Sequence, residues 1–310
     1  FKLKAKICRI TPMSRYHLYA PHRTEAKKYK YADAAKMVLD AYRGFSPRLA
    51  DLAEQVFKDR HIDGPTRSGK LGGAYCYSVV PGMTPYVMLN YTGEARDIAT
   101  MAHELGHAVH GMMAKDHSVF TFHSTLPLAE TASVFGERIL SDALMSQERN
   151  KAVRQGLLIG QLDDIYATVL RQAYFVRFEK LAHQMVGEGA TGDQLAKAYL
   201  GELRQQFGKA VKVPDEFQWE WLSIPHIFAS PFYCYAYSFG NLLVLALYRM
   251  YKEQGAAFVP KYLELLETGG SEAPRDILAK VGVDMTAEAF WQSGFDTIRE
   301  MVVQLETTLS

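Results

Sequence analysis

Apolar residues recur at three- and four-residue spacing over Tyr31 to Tyr42 and over Pro47 to Lys58, which predicts two amphipathic helices. From Gly69 to Gly82 the pattern changes to glycine, aromatic and small residues, with Val79-Val80-Pro81-Gly82 as a turn signal. The run Tyr86 to Tyr91 is β-prone and closed by Thr92-Gly93, so Gly72 to Tyr91 reads as a small antiparallel sheet or hairpin. The helical period resumes at Glu94, with Ile98, Met101, Ala102, Leu105, Ala108, Val109 and Met112 in one stripe that ends near Gly111 to Lys115. Further helices are expected from Pro127, a favourable first-turn residue, to about Met145, and over Gln161 to Val186, Gly192 to Phe207, Pro231 to Tyr251 and Thr286 to Leu309. No internal repeat and no long linker is visible. Residues 1–310 therefore read as one mainly α-helical unit with a small β element.

Composition narrows the function classes. Of 310 residues, 48% are hydrophobic and 22% charged, an ordinary globular balance. Lys plus Arg is 35 and Asp plus Glu is 34, so a net charge of +1 offers no general attraction to nucleic acid or an anionic membrane. The aliphatic run Leu242 to Leu247 is too short to span a bilayer. Phe1 to Lys30 holds nine basic residues against Glu25, either a basic arm for an acidic partner or a solvated or interdomain helix surface. That stretch has no apolar centre, so it is not an intact secretory signal. Cys8, Cys76 and Cys234 are far apart and odd in number, which favours a reducing, cytoplasmic compartment over a disulfide framework. The first residue is Phe1, not methionine, which points to a longer or processed product.

The sharpest chemical signal is His103-Glu104-Leu105-Gly106-His107, an HExxH run inside the Glu94–Met113 helical pattern. Histidines four apart share a helix face, so both imidazoles can converge on one ion. Glu104 lies beside them, where a carboxylate can take a proton from water. Zinc suits two neutral imidazoles and a carboxylate. HExxH alone arises by chance on the order of once in a hundred chains of this length, so the third ligand matters. His110 lies about 10 Å along the axis from His103 in an unbroken helix, too far for all three to reach one zinc, and Met113 stands where the HExxHxxGxxH pattern needs a histidine. Glu130, 23 residues after His107 at the start of the next predicted helix, is better placed, although a first-turn glutamate also suits the helix dipole. Glu137 falls on the same face, either orienting a ligand histidine or simply exposed.

Together these segments resemble a known family. Tyr75 through Glu137 is similar to the thimet oligopeptidase and oligoendopeptidase F family of zinc metallopeptidases, with its closest likeness among the oligoendopeptidase F members. The likeness rests on Phe1-Lys2-Leu3-Lys4-Ala5-Lys6, Thr84-Pro85-Tyr86-Val87-Met88-Leu89-Asn90-Tyr91, the HELGH run and Pro127-Leu128-Ala129-Glu130-Thr131-Ala132-Ser133, and extends to Ile224-Pro225-His226 and the tyrosines after it. It implies a zincin-like (gluzincin) helical catalytic domain with a small sheet next to the HExxH helix. It implies one Zn2+ held by His103, His107 and Glu130, with Glu104 as general base. His226 and tyrosines after it would donate to the substrate and the developing oxyanion. Tyr237 is the favoured oxyanion donor, with Tyr233 and Tyr235 as substrate contacts. The implied reaction is hydrolysis of internal bonds in short peptides, with no nucleic-acid or membrane partner. The alternatives are a zinc carboxypeptidase of related fold and a non-catalytic peptide-binding relative. The strand Tyr86 to Asn90 is a candidate for edge addition of extended peptide. The chain departs from the family in two places. Ile227-Phe228-Ala229-Ser230-Pro231 stands where thimet-type members carry glycines, and an N-terminal helical region that members normally have is expected to precede Phe1.

Overall fold

A computed structural model of the protein describes residues 1–20 and 28–309. In chain order the elements are α1 (Lys2–Cys8), α2 (Tyr31–Phe45), α3 (Pro47–Lys58), β1 (Ile62–Pro65), β2 (Tyr75–Tyr77), β3 (Tyr86–Tyr91) and α4 (Ala95–Met113). They continue with α5 (Leu126–Ala129), α6 (Thr131–Gln147), α7 (Lys151–Ile165), α8 (Arg171–Gly187), α9 (Gly192–Phe207), α10 (Pro225–Ala229) and α11 (Tyr235–Gln254). The last are α12 (Val259–Glu267), α13 (Pro274–Lys280) and α14 (Glu288–Thr307). The fold is mainly α with one small sheet, as the periodicity predicts.

The chain divides into two compact units built from interleaved segments. One takes Phe1–Thr24, Lys151–Asn241 and Ile298–Ser310; the other takes Glu25–Asn150 and Leu242–Thr297. Two of the crossings fall inside α11 and α14, so no linker composition marks them.

In the second unit, the stripe expected on α4 is buried from Ile98 through Val109, but Met113 rather than Met112 takes the last buried place. The Tyr42 hydroxyl donates to the Ala102 carbonyl at 2.5 Å, and the Tyr262 hydroxyl donates to the Thr131 carbonyl at 3.1 Å. These bonds tie α2 to α4 and α12 to the start of α6. Phe135 of α6 stacks on Tyr262 with ring centres 4.1 Å apart and meets Phe45 edge-on at 5.1 Å.

The sheet has the order β1-β3-β2, with β1 parallel and β2 antiparallel to β3. The β2–β3 pairing, Tyr75 with Met88 and Tyr77 with Tyr86, matches the expected antiparallel element. The strand β1 is an addition: Ile62-Asp63-Gly64-Pro65 carries turn residues that hide it. Edge addition at Tyr86–Asn90 is corrected, because β3 is the central strand and both its neighbours are in place. Val87, Met88 and Leu89 are all buried, so the strand has no alternating pattern.

The other unit packs Phe178 against Tyr199 and Trp221, with centroids 4.9 and 5.7 Å apart. Its first residues are no free basic arm. Buried Lys4 donates to the Leu18 carbonyl and pairs with Asp163, and buried Arg15 pairs with Glu220. Residues 21–27 of that basic stretch lie outside the described residues.

Several boundaries differ from expectation. The helix expected from Gln161 starts at Lys151 and continues through a π turn, Tyr166–Leu170, into α8. In α7 only Leu158 and Ile159 are buried, too few to display a period. The helix expected from Pro231 begins at Tyr235, because Phe232 has a φ of +60° and interrupts it. The helices α1, α12 and α13 are too short to announce themselves by periodicity. Among the described residues, no helix is long and apolar enough to cross a membrane.

The start of α4 fixes everything that follows on it. Asp97 Oδ2 accepts from the Thr92 N–H (2.7 Å), the Thr92 hydroxyl (2.8 Å) and the Glu94 N–H (3.0 Å). Burial disfavours its charge, but the Glu94 and Thr92 donors outweigh that and hold the carboxyl below its usual range. A depressed folded pKa contributes stability above the unfolded value of about 3.9 that is lost as pH falls through the folded one. Asp97→Asn should therefore destabilise the protein by about 1 kcal/mol at neutral pH, as for other cap losses. In urea titrations the gap between the two proteins should close below about pH 4.

Candidate metal centre

His103 and His107 project from the same face of α4, one turn apart, with their Nε2 atoms 3.2 Å from each other. Glu130 stands at a helix start as expected, as the N-cap of α6. It is the residue between α5 and α6, with φ −85° and ψ 1°, so the helix predicted from Pro127 to Met145 is broken there. Its Oε2 lies 3.4 Å from His103 Nε2 and 3.5 Å from His107 Nε2. Tetrahedral ligands around an ion at 2.0–2.1 Å lie about 3.3–3.4 Å from each other. The three atoms thus have the dimensions of one face of such a tetrahedron, which leaves a fourth position for water or substrate. Among the described residues this is the one His, Cys, Asp and Glu group close enough to hold a metal ion.

Neighbouring side chains orient two of the three candidate ligands. His103 Nδ1 donates to Glu137 Oε1 at 2.5 Å, which leaves the Nε2 lone pair for an ion. The Ser133 hydroxyl donates to Glu130 Oε2 at 2.7 Å. Burial works against a charge on His103, but the Glu137 hydrogen bond and the Glu137, Glu130 and Glu104 charges push it up to about 9. His107 is pushed down by burial and by His103. Glu104 is 6% exposed, and burial raises its carboxyl to about 7, helped by Glu130 and Glu137 and opposed by His103. The group as a whole carries excess negative charge that a cation would balance.

The cleft beside the group has a volume of about 410 Å³. Ala74 to Ser78 of and around β2, Glu104, His110, and Phe122 to Ser124 line it. His110 is buried and lies outside the ligand triangle, as the axial distance requires. Burial and then Glu104 push the Cys76 thiol up to about 12, and Cys76 lies outside the close His103, His107 and Glu130 group.

Sequence reasoning misses Gly106, Ser133 and Cys76. A Cβ on Gly106 would lie 2.6 Å from both the Ala132 carbonyl oxygen and Ser133 Cα, so this glycine lets the backbones of α4 and α6 touch. Its signal was present: a glycine inside a helix needs a packing or functional reason.

The remaining predicted residues lie in the other unit. The Tyr237 hydroxyl is 3.2 Å from His226 Nε2, and the His226 ring stacks on Tyr233 with centroids 5.4 Å apart. Tyr233 also meets Tyr237 edge-on at 5.4 Å. His226, Tyr233 and Tyr237 are therefore one cluster, while Tyr235 is 42% exposed and makes no ring contact with them.

The sequence profile of Peptidase family M3 matches residues 23–297. The chain belongs to peptidase family M3. Among curated relatives, this M3 chain is 31% identical over 295 residues to an oligoendopeptidase F homolog of Borreliella burgdorferi, covering 93% of this chain and 50% of that protein. It is 30% identical over 309 residues to the plasmid oligoendopeptidase F of Lactococcus lactis subsp. cremoris, covering 98% and 51%. A solved structure from Chlamydophila abortus superimposes with a TM-score of 0.87 at 28% identity, covering 99% of this chain and 52% of that one. Oligoendopeptidase-F from Enterococcus faecium shares the fold, with a TM-score of 0.72 at 24% identity, covering 99% and 49%. The M3 chain spans about half the length of the curated relatives it matches. M3 is a metallopeptidase family, so a metal cofactor comes with membership.

Metal content is the direct test of the triangle. His107→Ala and Glu130→Ala should each lose most of the metal measured by mass spectrometry, and His110→Ala should keep it. Gly106→Ala should lose metal as well as about 1–3 kcal/mol of stability, because the added methyl separates the two ligand-bearing helices. Metal loss on removing His110 but not Glu130 would overturn the ligand set.

Proposed function

We propose that this chain is the catalytic region of a zinc endopeptidase that hydrolyses internal bonds of short peptides, with one zinc held by His103, His107 and Glu130. The observation that carries the proposal is the 3.2, 3.4 and 3.5 Å ligand triangle beside buried Glu104 in one cleft. When bound, zinc supplies Lewis acidity that polarises a peptide carbonyl and makes water acidic enough to attack near neutral pH. Glu104 accepts the proton of the attacking water at its carboxylate and passes it to the leaving nitrogen. Glu137 holds the His103 ring through Nδ1, and Ser133 holds Glu130, so neither ligand has to reorganise during the reaction.

His226 and Tyr237 are assigned to the developing oxyanion, supported by the 3.2 Å contact that prepares both groups together. Tyr233 and Tyr235 are assigned to substrate contacts. The strand β2 supports an extended peptide: it is an edge strand, and Tyr75, Cys76 and Tyr77 line the metal cleft. A cytoplasmic location fits three cysteines that are all free thiols.

The test is Glu104→Gln. The variant should retain its fold and full metal content while cleavage of an unstructured oligopeptide falls by about 100- to 10,000-fold. Unchanged turnover in metal-replete Glu104→Gln would remove Glu104 from the mechanism. Products from a terminally blocked peptide should come from internal cleavage, which separates this activity from a carboxypeptidase.

A further inference from the structure

Between α10, which carries His226, and α11, which carries Tyr237, the chain makes the turn Ser230-Pro231-Phe232-Tyr233. The Tyr233 N–H closes it onto the Ser230 carbonyl at 3.1 Å. Phe232, at the third position, has a φ of +60°. Positive φ at that position defines the type II turn and ordinarily calls for glycine or asparagine, while proline before it suits type I and type II alike. The two forms differ by a flip of the central peptide, and in type I a phenylalanine would occupy an ordinary right-handed conformation. Something outside the turn must hold it in the form that phenylalanine disfavours.

Glu179 of α8 provides that hold. It is 1% exposed, and its Oε1 accepts the N–H of Phe232, the central peptide of the turn, at 2.6 Å. One turn further along α8, the His183 ring lies 5.0 Å from the Phe232 ring, so one residue is gripped by backbone and by side chain. Glu179 Oε2 is buried with no hydrogen-bond partner among the described residues. A buried carboxylate satisfied on one oxygen is costly, and so is a left-handed phenylalanine. Both are joined by a single hydrogen bond next to Tyr233, in the segment that links His226 to Tyr237.

We infer that Glu179 is a positioning residue: by fixing the Pro231–Phe232 peptide it selects the type II form of this turn and so sets the geometry of the His226–Tyr233–Tyr237 cluster. The inference rests on the oxyanion role assigned above to His226 and Tyr237. If the turn flips to type I, Tyr233 and the first residues of α11 leave α10 at a different angle, and the 3.2 Å contact between Tyr237 and His226 is lost. Chemistry would slow while metal binding, which uses residues of the other unit, is untouched.

The test compares Glu179→Ala, Glu179→Gln, Tyr237→Phe and the double variant Glu179→Ala/Phe232→Gly in the metal-loaded enzyme, using one internally quenched oligopeptide. Glu179→Ala should lower kcat by about tenfold or more, a part of what loss of an oxyanion donor costs, with KM within about threefold of wild type. Glu179→Gln, which keeps one acceptor oxygen, should fall between the two. Adding Phe232→Gly should restore kcat by about threefold or more, since glycine holds positive φ unaided. Hydrogen exchange of the Phe232 amide should speed up in Glu179→Ala. If Glu179→Ala fails to fold, Glu179→Gln and its double with Phe232→Gly carry the same comparison. Unchanged kcat at position 179, or no recovery with glycine at 232, overturns the inference provided Tyr237→Phe is impaired. Full activity in Tyr237→Phe overturns the oxyanion assignment instead.

Discussion

The proposed metal centre depends on a backbone contact between α4 and α6 at Gly106. Two of the proposed ligands come from α4 and the third from the first residue before α6, so the Oε2 of Glu130 reaches both imidazoles only if the two helices touch main chain to main chain. Any Cβ at position 106 would clash with the Ala132 carbonyl oxygen at 2.6 Å. A glycine inside a helix costs about 1 kcal/mol relative to alanine, and here the close approach it permits offsets that cost. A second glycine serves the same pair from behind: a Cβ at Gly136 would overlap the Tyr42 ring, whose hydroxyl is bonded to the Ala102 carbonyl on α4. The two glycines and one tyrosine set the spacing of the ligand-bearing helices, and Tyr262 pins the start of α6 through Thr131.

That spacing brings three carboxylates, Glu104, Glu130 and Glu137, around two imidazoles beside the cleft. Burial, with the Glu130 and Glu137 charges, pushes Glu104 up, and the Glu137 hydrogen bond with the neighbouring carboxylate charges pushes His103 up against its burial. A divalent cation at the triangle would discharge the same repulsion, whereas an anion would add to it. Burial, and after it the Glu104 charge, also pushes the Cys76 thiol up.

The sequence displayed what depends on short-range spacing. The histidine pair, the adjacent Glu104 and the amphipathic stripe of α4 follow from a 3.6-residue period, and α3 begins and ends at the residues expected. Glu130 was visible as a carboxylate near the next helix start, but the break around it was not, since a φ of −85° and ψ of 1° leave no compositional trace. Ser133 and Glu137 become partners of Glu130 and His103 only after α6 packs on α4. Position β1 hid behind its glycine and proline, and without it β3 looked like an edge. Periodicity says nothing about residues 11 apart across a turn, so the grouping of His226 with Tyr237 was legible only through likeness to the M3 family.

The two sets of chemical residues are held by different means. His103 and His107 stand on a 19-residue helix capped at its start and buried along one face, so their geometry belongs to the core. His226 stands on α10, five residues long, which is too short to be stable alone. Its orientation must come from tertiary contacts: the Tyr233 ring, the Tyr237 hydroxyl, and the stacking of Phe228 on Trp221 with centroids 5.8 Å apart. A group that stabilises charge in a transition state is effective only when its position is fixed beforehand. In this protein the proposed metal ligands obtain that fixity from helix packing. The His226 cluster obtains it from a turn whose backbone its own sequence disfavours, anchored by the buried carboxylate of Glu179.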